Sequence, residues 1–171
     1  MTSYSAVEEL SAAHNVSEFD CGSDAQTTWL RRHALQSHLG AMSRVFVVRR
    51  LTDDRVVGYY ALTTGSVLNA DAPLRLTRGA GRYDIPVVVL TRLGVDLSEQ
   101  HRGLGRALAV DAFRRVDRVA EDVGVRALLI HAEDETARTF YLSLAAFEQS
   151  PVDDLQLLLR LKDLRKAISR A

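Results

Sequence analysis

The sequence predicts an α/β fold in which helices flank a mixed central sheet. Two observations carry this prediction. Residues 44–50 and 55–66 are two strand-like runs joined by a short polar turn, a pattern typical of an antiparallel hairpin. Residues 87–95 and 125–131 are two further β-branched and apolar runs, and a long helical pattern separates them. Because a helical crossover joins strands that run in the same direction, this second pair is expected to be parallel.

Length and composition predict one ordinary globular domain over residues 1–171. Hydrophobic residues make up 47% of the chain and charged residues 26%. Lys+Arg and Asp+Glu are both 22, so the net charge gives no footprint for nucleic acid. No apolar run reaches the roughly 18 residues that span a bilayer, and the first residues lack a signal-peptide pattern. Cys21 is the only cysteine. We therefore expect no internal disulfide, no membrane association and a cytoplasmic location.

The elements before residue 87 follow from capping and turn signals. Ser23 or Asp24 can cap a helix that is predicted to end near Gly40. Its apolar face comprises Trp29, Leu30, Ala34 and Leu35. Gly58 indicates a bulge in the second hairpin strand. Residues 69–84 are rich in glycine and arginine and show no periodic element, so we expect a long loop that borders the acceptor site.

The second half of the chain has clearer helical spacing. A helix is predicted from Leu104 to about Val123, with Gly124 at its end. Its apolar face comprises Leu104, Leu108, Ala112, Val116, Val119 and Val123. Asp134 is expected to cap a second helix over residues 135–144. Residues 155–161 then predict a final strand, followed by a short charged tail.

The segment that connects the 87–95 strand to the next helix has the features of an anion-binding loop. A helix start leaves backbone N–H groups without internal partners and carries the positive end of the helix dipole. Gly103 and Gly105 remove side chains that would keep a ligand away from those groups, and Arg102 and Arg106 add cationic donors. The loop therefore predicts a diphosphate ligand.

The spacing Gln100-x-x-Gly103-x-Gly105 is neither a P-loop nor a dinucleotide fingerprint. It is similar to the acetyl-CoA loop of the GNAT N-acetyltransferases, and the order of predicted elements also resembles the GNAT acyl-CoA N-acyltransferase fold. The resemblance implies that acetyl-CoA is the co-substrate and that Leu93, Gly94 and Val95 hold its pantetheine and thioester through the strand backbone. It assigns the remaining cofactor contacts to Gln100, Arg102, Gly103, Leu104, Gly105, Arg106 and Ala107.

Three sequence blocks narrow the resemblance further. The toxin-like blocks are residues 19–22 with 29–31, residues 57–62 with 65–67, and residues 137–141 with 147–151, which resemble the GNAT toxins of type II toxin-antitoxin modules. This resemblance implies acetylation of the α-amino group of aminoacyl-tRNA, a block of translation and neutralisation by a ribbon-helix-helix antitoxin. It also implies a homodimer, and it makes Tyr141 the general acid.

Further candidates come from charge and from the chemistry of acetyl transfer. A possible basic patch for the acceptor comprises Arg75, Arg78, Arg82 and Arg92. The five histidines lack metal-ligand spacing, so no metal is predicted. A backbone N–H near Gly94 or Val95 could stabilise the oxyanion, and Tyr141, with an ordinary pKa of about 10, could donate a proton to the leaving sulfur.

The pKa of the acceptor amine favours one class of acceptor over another. An α-amine, with a pKa of about 8, is more often neutral at physiological pH than a lysine at about 10.4, which favours an α-amino acceptor. Two alternatives stay open from the sequence. One is a housekeeping N-acetyltransferase for a small amine or peptide, and the other is a largely non-catalytic module that holds an antitoxin and helps to repress its own operon.

Overall fold

The structure is a computed structural model that describes residues 3–171. The strands are Glu8–Glu9 (β1), Arg44–Arg50 (β2), Arg55–Val67 (β3), Ile85–Val95 (β4), Ala127–His131 (β5), Glu148–Gln149 (β6) and Gln156–Arg160 (β7). They form a mixed sheet in the order β1-β2-β3-β4-β5-β7-β6. The helices are Asp24–Arg32 (α1), Ala34–Leu39 (α2), Leu74–Thr77 (α3), Leu104–Asp122 (α4), Glu135–Leu144 (α5) and Leu161–Ser169 (α6). This architecture confirms the predicted fold class. Within residues 3–171 no helix is long and apolar enough to cross a membrane.

The chain divides into two compact units. The first unit ends at Thr63 and resumes over Thr91–Asp111, and the second comprises Thr64–Leu90 and Ala112–Ala171. The buried core of the first unit contains Leu10, Phe19, Leu30, Ala34, Val45, Val47, Val56, Tyr59 and Ala61. The core of the second contains Val67, Ala72, Leu76, Ile85, Val87, Ala127, Leu129 and Leu158. Each unit therefore has its own apolar cluster removed from water, which is the main source of folding stability.

The predicted hairpin is present in the first unit, but its bulge lies one residue away from the expected position. Val48 pairs with Gly58, and Arg49 then pairs with Val56, so Val57 is the extra residue. Gly58 serves close packing instead. A Cβ atom at this position would lie 2.8 Å from the side chain of Leu108 on α4.

The predicted helix that ends near Gly40 is two helices. Ser23 caps α1 by accepting a hydrogen bond from the Gln26 backbone at 3.3 Å, as the sequence indicated. The helix then breaks at His33, whose φ of −122° and ψ of −24° depart from helical values. The apolar spacing continues across the break, with Leu30 and Ala34 both buried, which is why the sequence pattern did not reveal it.

In the second unit the two apolar strands are parallel, as predicted. Val87 pairs with Ala127 and Leu90 with Ile130. Helix α4 ends at Asp122. The prediction that Val119 and Val123 belong to its buried apolar face is wrong, because both side chains are exposed. That face therefore stops contributing to the core after Val116.

The charged tail that the sequence predicted is a helix. Residues 161–169 form α6, whose Leu164 and Ala167 are buried. The stretch 69–84 also contains local structure, a 3₁₀ turn at Asn69–Asp71 and the short helix α3. Strands β1 and β6 are two residues each, too short for a periodic pattern to predict.

Candidate active site

The loop that follows β4 is held by a buried aspartate. Asp96 is 4% exposed, and its Oδ1 accepts hydrogen bonds from the Ser98 backbone at 3.0 Å and the Ser98 hydroxyl at 2.6 Å. Its Oδ2 accepts a third from the Asp20 backbone at 3.0 Å. Burial disfavours the charged carboxylate, but the hydrogen bonds from Ser98 and Asp20 outweigh it and hold the pKa of Asp96 below its usual range. Asp96 is therefore a charged anchor for the start of the loop.

Gln100 braces the same loop against the end of β4. Its amide nitrogen donates to the backbone carbonyls of Cys21 and Val95, both at 2.9 Å. Those two bonds use both of the amide hydrogens. The side chain that the sequence assigned to the cofactor is therefore engaged in shaping the loop.

The turn into α4 has a backbone conformation that presents open space. His101 has φ of 62° and Gly103 has φ of 86°, both in the left-handed region. Histidine tolerates this region better than most side chains do, whereas Gly103 occupies it without strain. A Cβ at Gly103 would meet no atom within 4 Å. The glycine is therefore needed for the backbone conformation, and the space beside it is available to a ligand.

The first turn of α4 is electrostatically suited to an anion. It contains no acidic residue, and Arg102 and Arg106 are exposed. The backbone N–H of Ala107 already bonds to the Gly103 carbonyl at 3.1 Å, which marks where regular helical bonding begins. The N–H groups before it belong to the end of the helix where the dipole favours negative charge. Leu104 is buried and fixes this turn to the core.

Sequence reasoning missed the buried carboxylate behind the loop. Glu99 is 2% exposed and accepts hydrogen bonds from Arg50 at 2.7 Å and from the Tyr4 hydroxyl. Arg102 lies 3.5 Å from its other oxygen. Burial disfavours its charge, but the bonds from Tyr4 and Arg50 keep the pKa of Glu99 below its usual range. These partners are far away in sequence, so no local pattern could have predicted them.

Gly94, near the end of β4, is a point of close packing. A Cβ there would lie 3.1 Å from the Tyr59 ring, 3.3 Å from the Cys21 sulfur and 3.4 Å from the Phe19 ring. The glycine therefore lets the strand pass close to two aromatic side chains. Leu93 and Val95, its neighbours in the strand, are half-buried.

Tyr141 lies in the second unit, on helix α5. Asp134 caps this helix by accepting a hydrogen bond from the Ala137 backbone at 2.8 Å, as predicted. The Tyr141 ring is buried beside two aromatic rings, and its centre lies 5.2 Å from the ring centre of Phe140 and 6.3 Å from that of Phe147. Among the described residues, none hydrogen-bonds its hydroxyl. Burial, with a smaller effect of the nearby Glu133 charge, raises the pKa of Tyr141 above 10.0, so the hydroxyl is protonated at neutral pH.

The four arginines proposed for the acceptor have different surroundings. Arg75 donates to Glu148 at 3.0 Å, so its charge is partly compensated. The Arg92 guanidinium lies 5.3 Å from the centre of the Trp29 ring, in a cation–π contact. Arg78 and Arg82 are exposed. Within residues 3–171, the side chains of Arg78 and Arg82 form no ion pair, which leaves these two available to an anionic acceptor.

The structure is similar to solved structures of acetyltransferase toxins. AtaT complexed with acetyl-methionyl-tRNAfMet is similar in structure, with a TM-score of 0.85 and 30% sequence identity over 94% of this chain and 96% of that chain. A tyrosine-to-phenylalanine mutant of AtaT bound to the C-terminus of the antitoxin AtaR and acetyl-CoA gives a TM-score of 0.80, with 28% identity over 94% of this chain and 96% of that chain. The fold and the glycine-bearing loop define a GNAT-fold, acetyl-CoA-dependent acetyltransferase.

A curated relative makes the assignment narrower. The tRNA-acetylating toxin of Mycobacterium tuberculosis is 45% identical over 168 residues, which is 98% of this chain and 99% of the relative. The chain therefore belongs to the family of tRNA-acetylating toxins. No protein-family model matches it.

Proposed function

We propose that this protein transfers the acetyl group of acetyl-CoA to the α-amino group of the amino acid carried by tRNA, and thereby stops translation. The observation that carries the proposal is the loop at the start of α4, with Gly103 in the left-handed region beside open space and no acidic residue in the first helical turn. Membership in the family of tRNA-acetylating toxins supports the acceptor. Neither a small-amine acetyltransferase nor a non-catalytic module is favoured by an observation of comparable weight.

Acetyl-CoA fits the residues that surround this loop. We assign its pyrophosphate to the backbone N–H groups and cationic side chains of residues 102–107. Arg102 and Arg106 supply the positive charge, and Gly103 and Gly105 allow the phosphates to approach the backbone. The backbone of Leu93, Gly94 and Val95 holds the pantetheine and the thioester carbonyl. Gln100 contributes by bracing the loop on Val95.

The acceptor amine must be neutral to attack the thioester carbonyl. An α-amine with a pKa of about 8 loses its proton at neutral pH for about 1 kcal/mol, whereas a lysine at about 10.4 would cost more than 3 kcal/mol. A charged tRNA therefore reacts without a strong protein base. Attack forms a tetrahedral oxyanion, which a backbone N–H near Gly94 or Val95 stabilises by roughly 3 kcal/mol.

Tyr141 completes the proton balance. When the carbon–sulfur bond breaks, the leaving thiolate needs one proton, and the attacking nitrogen must lose one. The Tyr141 hydroxyl donates to the sulfur and regains a proton from the amine, so that the products are an amide and a free thiol. Its pKa is raised by burial, which keeps the hydroxyl protonated and ready to donate.

Membership in this family also suggests a protein partner. We propose that an antitoxin of the ribbon-helix-helix type neutralises the protein. The structure of AtaT bound to the C-terminus of its antitoxin supports pairing with an antitoxin. Arg78 and Arg82 are the candidate contacts to the acceptor from the original set of four arginines. A homodimer, a single functional domain over residues 1–171 and a cytoplasmic location stay predictions.

The experiment that tests the proposed function is an acceptor comparison. Purified protein and radiolabelled acetyl-CoA are incubated with charged tRNA, with deacylated tRNA and with a panel of free amines and peptides. We expect label only on charged tRNA. Label on free amines with charged tRNA untouched would support the housekeeping alternative, and no transfer to any acceptor despite acetyl-CoA binding would support the non-catalytic module.

A further inference from the structure

Helix α6 carries a row of cations along one exposed face. A shallow groove of about 420 Å³ is lined by Lys162, Arg165, Lys166, Ser169 and Arg170. These positions follow helical spacing and therefore share one face. No acidic side chain is among the groove's lining residues. Lys162 and Lys166 are the only two lysines in the chain, and both lie in this groove. A chain with no net charge thus concentrates positive charge on one helix.

The opposite face of α6 is already occupied. Leu164 and Ala167 are buried, and the carboxylate of Asp163 accepts a hydrogen bond from Arg160 at 2.8 Å. An amphipathic helix that binds a membrane surface inserts its apolar face into the lipid. Because the apolar face of α6 packs into the protein, only its cationic face is available to a partner.

Helix α4 contacts both α6 and the aromatic residues beside Tyr141. Arg165 donates a hydrogen bond of 2.8 Å to Asp117 on α4. Phe113 lies one turn earlier on the same helix, and the centre of its ring is 6.3 Å from the centre of the Phe147 ring. The ring centres of Phe147 and Tyr141 are also 6.3 Å apart. Residues four apart share a helix face and are separated by about 6 Å along the axis. The cationic helix and the aromatic cluster of Tyr141 are therefore fastened to one face of α4.

We propose that the cationic face of α6 binds the phosphate backbone of the acceptor RNA. Lys162, Lys166 and Arg170 are spaced four residues apart, so they form a row along which successive phosphates can bind. Phosphate contacts position a nucleic acid without reading its sequence. This inference rests on the proposed function, because it assigns a docking surface for the same charged tRNA.

The composition of the groove favours RNA over an acidic protein segment. Protein interfaces are anchored by aromatic and aliphatic side chains in well-packed pockets. The lining of this groove is four cations and one serine, with no apolar anchor. A surface of lysine and arginine alone suits a partner whose contacts are phosphate oxygens.

The test compares two double variants that remove the same charge. Lys162→Gln with Lys166→Gln alters the groove, and Arg31→Gln with Arg32→Gln removes two exposed charges from helix α1 as the control. For each protein, kcat/KM for unfractionated charged tRNA is measured over a series of potassium chloride concentrations. At about 0.15 M salt we expect the groove variant to lose about tenfold in kcat/KM, and its log–log salt slope to become shallower by about 1 to 2. The KM for acetyl-CoA should be unchanged in both variants.

Binding of the same tRNA pool, measured by fluorescence anisotropy, tests the docking surface independently of acetyl transfer. One outcome is that the groove variant has a shallower salt dependence of tRNA binding than the wild type, while the wild type transfers no acetyl group. In that case the docking surface is supported and the proposed function fails. If wild-type protein acetylates tRNA and the groove variant keeps the slope of the control, the docking surface is wrong. Weaker binding of the groove variant to a polyglutamate peptide, with tRNA binding unchanged, would also overturn it, in favour of an acidic protein partner.

Discussion

Arg50 donates a hydrogen bond of 2.7 Å to Glu99, whose carboxylate is buried directly before the glycine-bearing loop. This contact ties strand β2 to the loop, and the Tyr4 hydroxyl reinforces it from the N-terminal segment. Arg102 lies on the other side of the carboxylate, at 3.5 Å. A loop held in this way is preorganised, so less conformational entropy is lost when a ligand binds.

Replacement of Glu99 by glutamine tests this support. Glu99→Gln keeps the shape of the side chain but removes its charge, so the free energy of unfolding should fall by about 1–3 kcal/mol. The KM for acetyl-CoA should rise severalfold, because Arg102 loses the carboxylate that helps to position it. Glu121→Gln, an exposed glutamate on helix α4, is the matched control and should change neither quantity. Unchanged stability and KM in Glu99→Gln would show that the loop does not need this carboxylate.

The same carboxylate has a consequence at acidic pH. Because the pKa of Glu99 is lower in the folded protein than its ordinary value of 4.5, its stabilising effect is present above about pH 4.5 and is lost as the pH falls through the folded pKa. Asp96 acts in the same direction, from its ordinary value of 3.8 downwards. Urea unfolding between pH 7 and pH 3 should therefore show a decline that begins below about pH 5 and is shallower in Glu99→Gln. Equal declines in the two proteins would contradict this account.

Replacement of Gly103 by alanine tests the backbone conformation of the loop without adding a steric clash. At φ of 86° an added Cβ meets no atom within 4 Å, so Gly103→Ala should cost only the conformational strain of about 1–2 kcal/mol. The KM for acetyl-CoA should rise about tenfold or more if the backbone N–H groups near Gly103 bind the pyrophosphate. Gly124→Ala is the control, since no atom lies within 4 Å there and its φ is not positive. An unchanged KM in Gly103→Ala would remove this residue from the pyrophosphate site.

Tyr141→Phe tests the proton donor. Phenylalanine keeps the ring contacts with Phe140 and Phe147, so the melting temperature should stay close to that of the wild type. Loss of the hydroxyl should lower kcat by about 100-fold or more, with the KM for acetyl-CoA within twofold. The control is Tyr83→Phe, which removes a hydroxyl from an exposed ring. Full activity in Tyr141→Phe would exclude the hydroxyl as the donor.

The pH dependence of the reaction gives an independent check. The rate should rise with pH as the acceptor α-amine loses its proton, with an apparent pKa of about 8. The raised pKa of Tyr141 keeps its hydroxyl protonated above pH 10.0, so the profile should reach a plateau without an alkaline decline below that pH. The measurement is kcat/KM for charged tRNA between pH 6 and pH 9.5. A decline that begins near pH 8 would indicate a different acid.

The sequence predicted the parts of the fold that depend on local patterns. The parallel pairing of Val87 with Ala127 followed from two apolar runs and a helical crossover, and the cap at Asp134 followed from its position before a helical pattern. The tail was the opposite case. Residues 161–169 have helical apolar spacing, but the many charges around Leu164 and Ala167 concealed it, so helix α6 was missed.

The supports of the candidate site could not be predicted in the same way. Glu99 is bound by Tyr4 and Arg50, which are 95 and 49 residues away in sequence. A charged residue near a loop is usually solvated, and only the folded chain shows that this one is buried. The glycine-bearing turn was recognisable from the sequence, because Gly103 has a left-handed φ that glycine adopts without strain.

The most direct test of the account is the position of the acetyl group on the product. Charged tRNA treated with the protein and acetyl-CoA is digested with a nuclease, and the released aminoacyl-adenosine is analysed by tandem mass spectrometry. We expect a single acetyl group on the α-nitrogen of the amino acid, and about 100-fold less of this product in the initial phase when Tyr141→Phe replaces the wild-type protein at the same enzyme concentration. An acetyl group on a nucleobase or ribose, or an unmodified aminoacyl-adenosine, would contradict it.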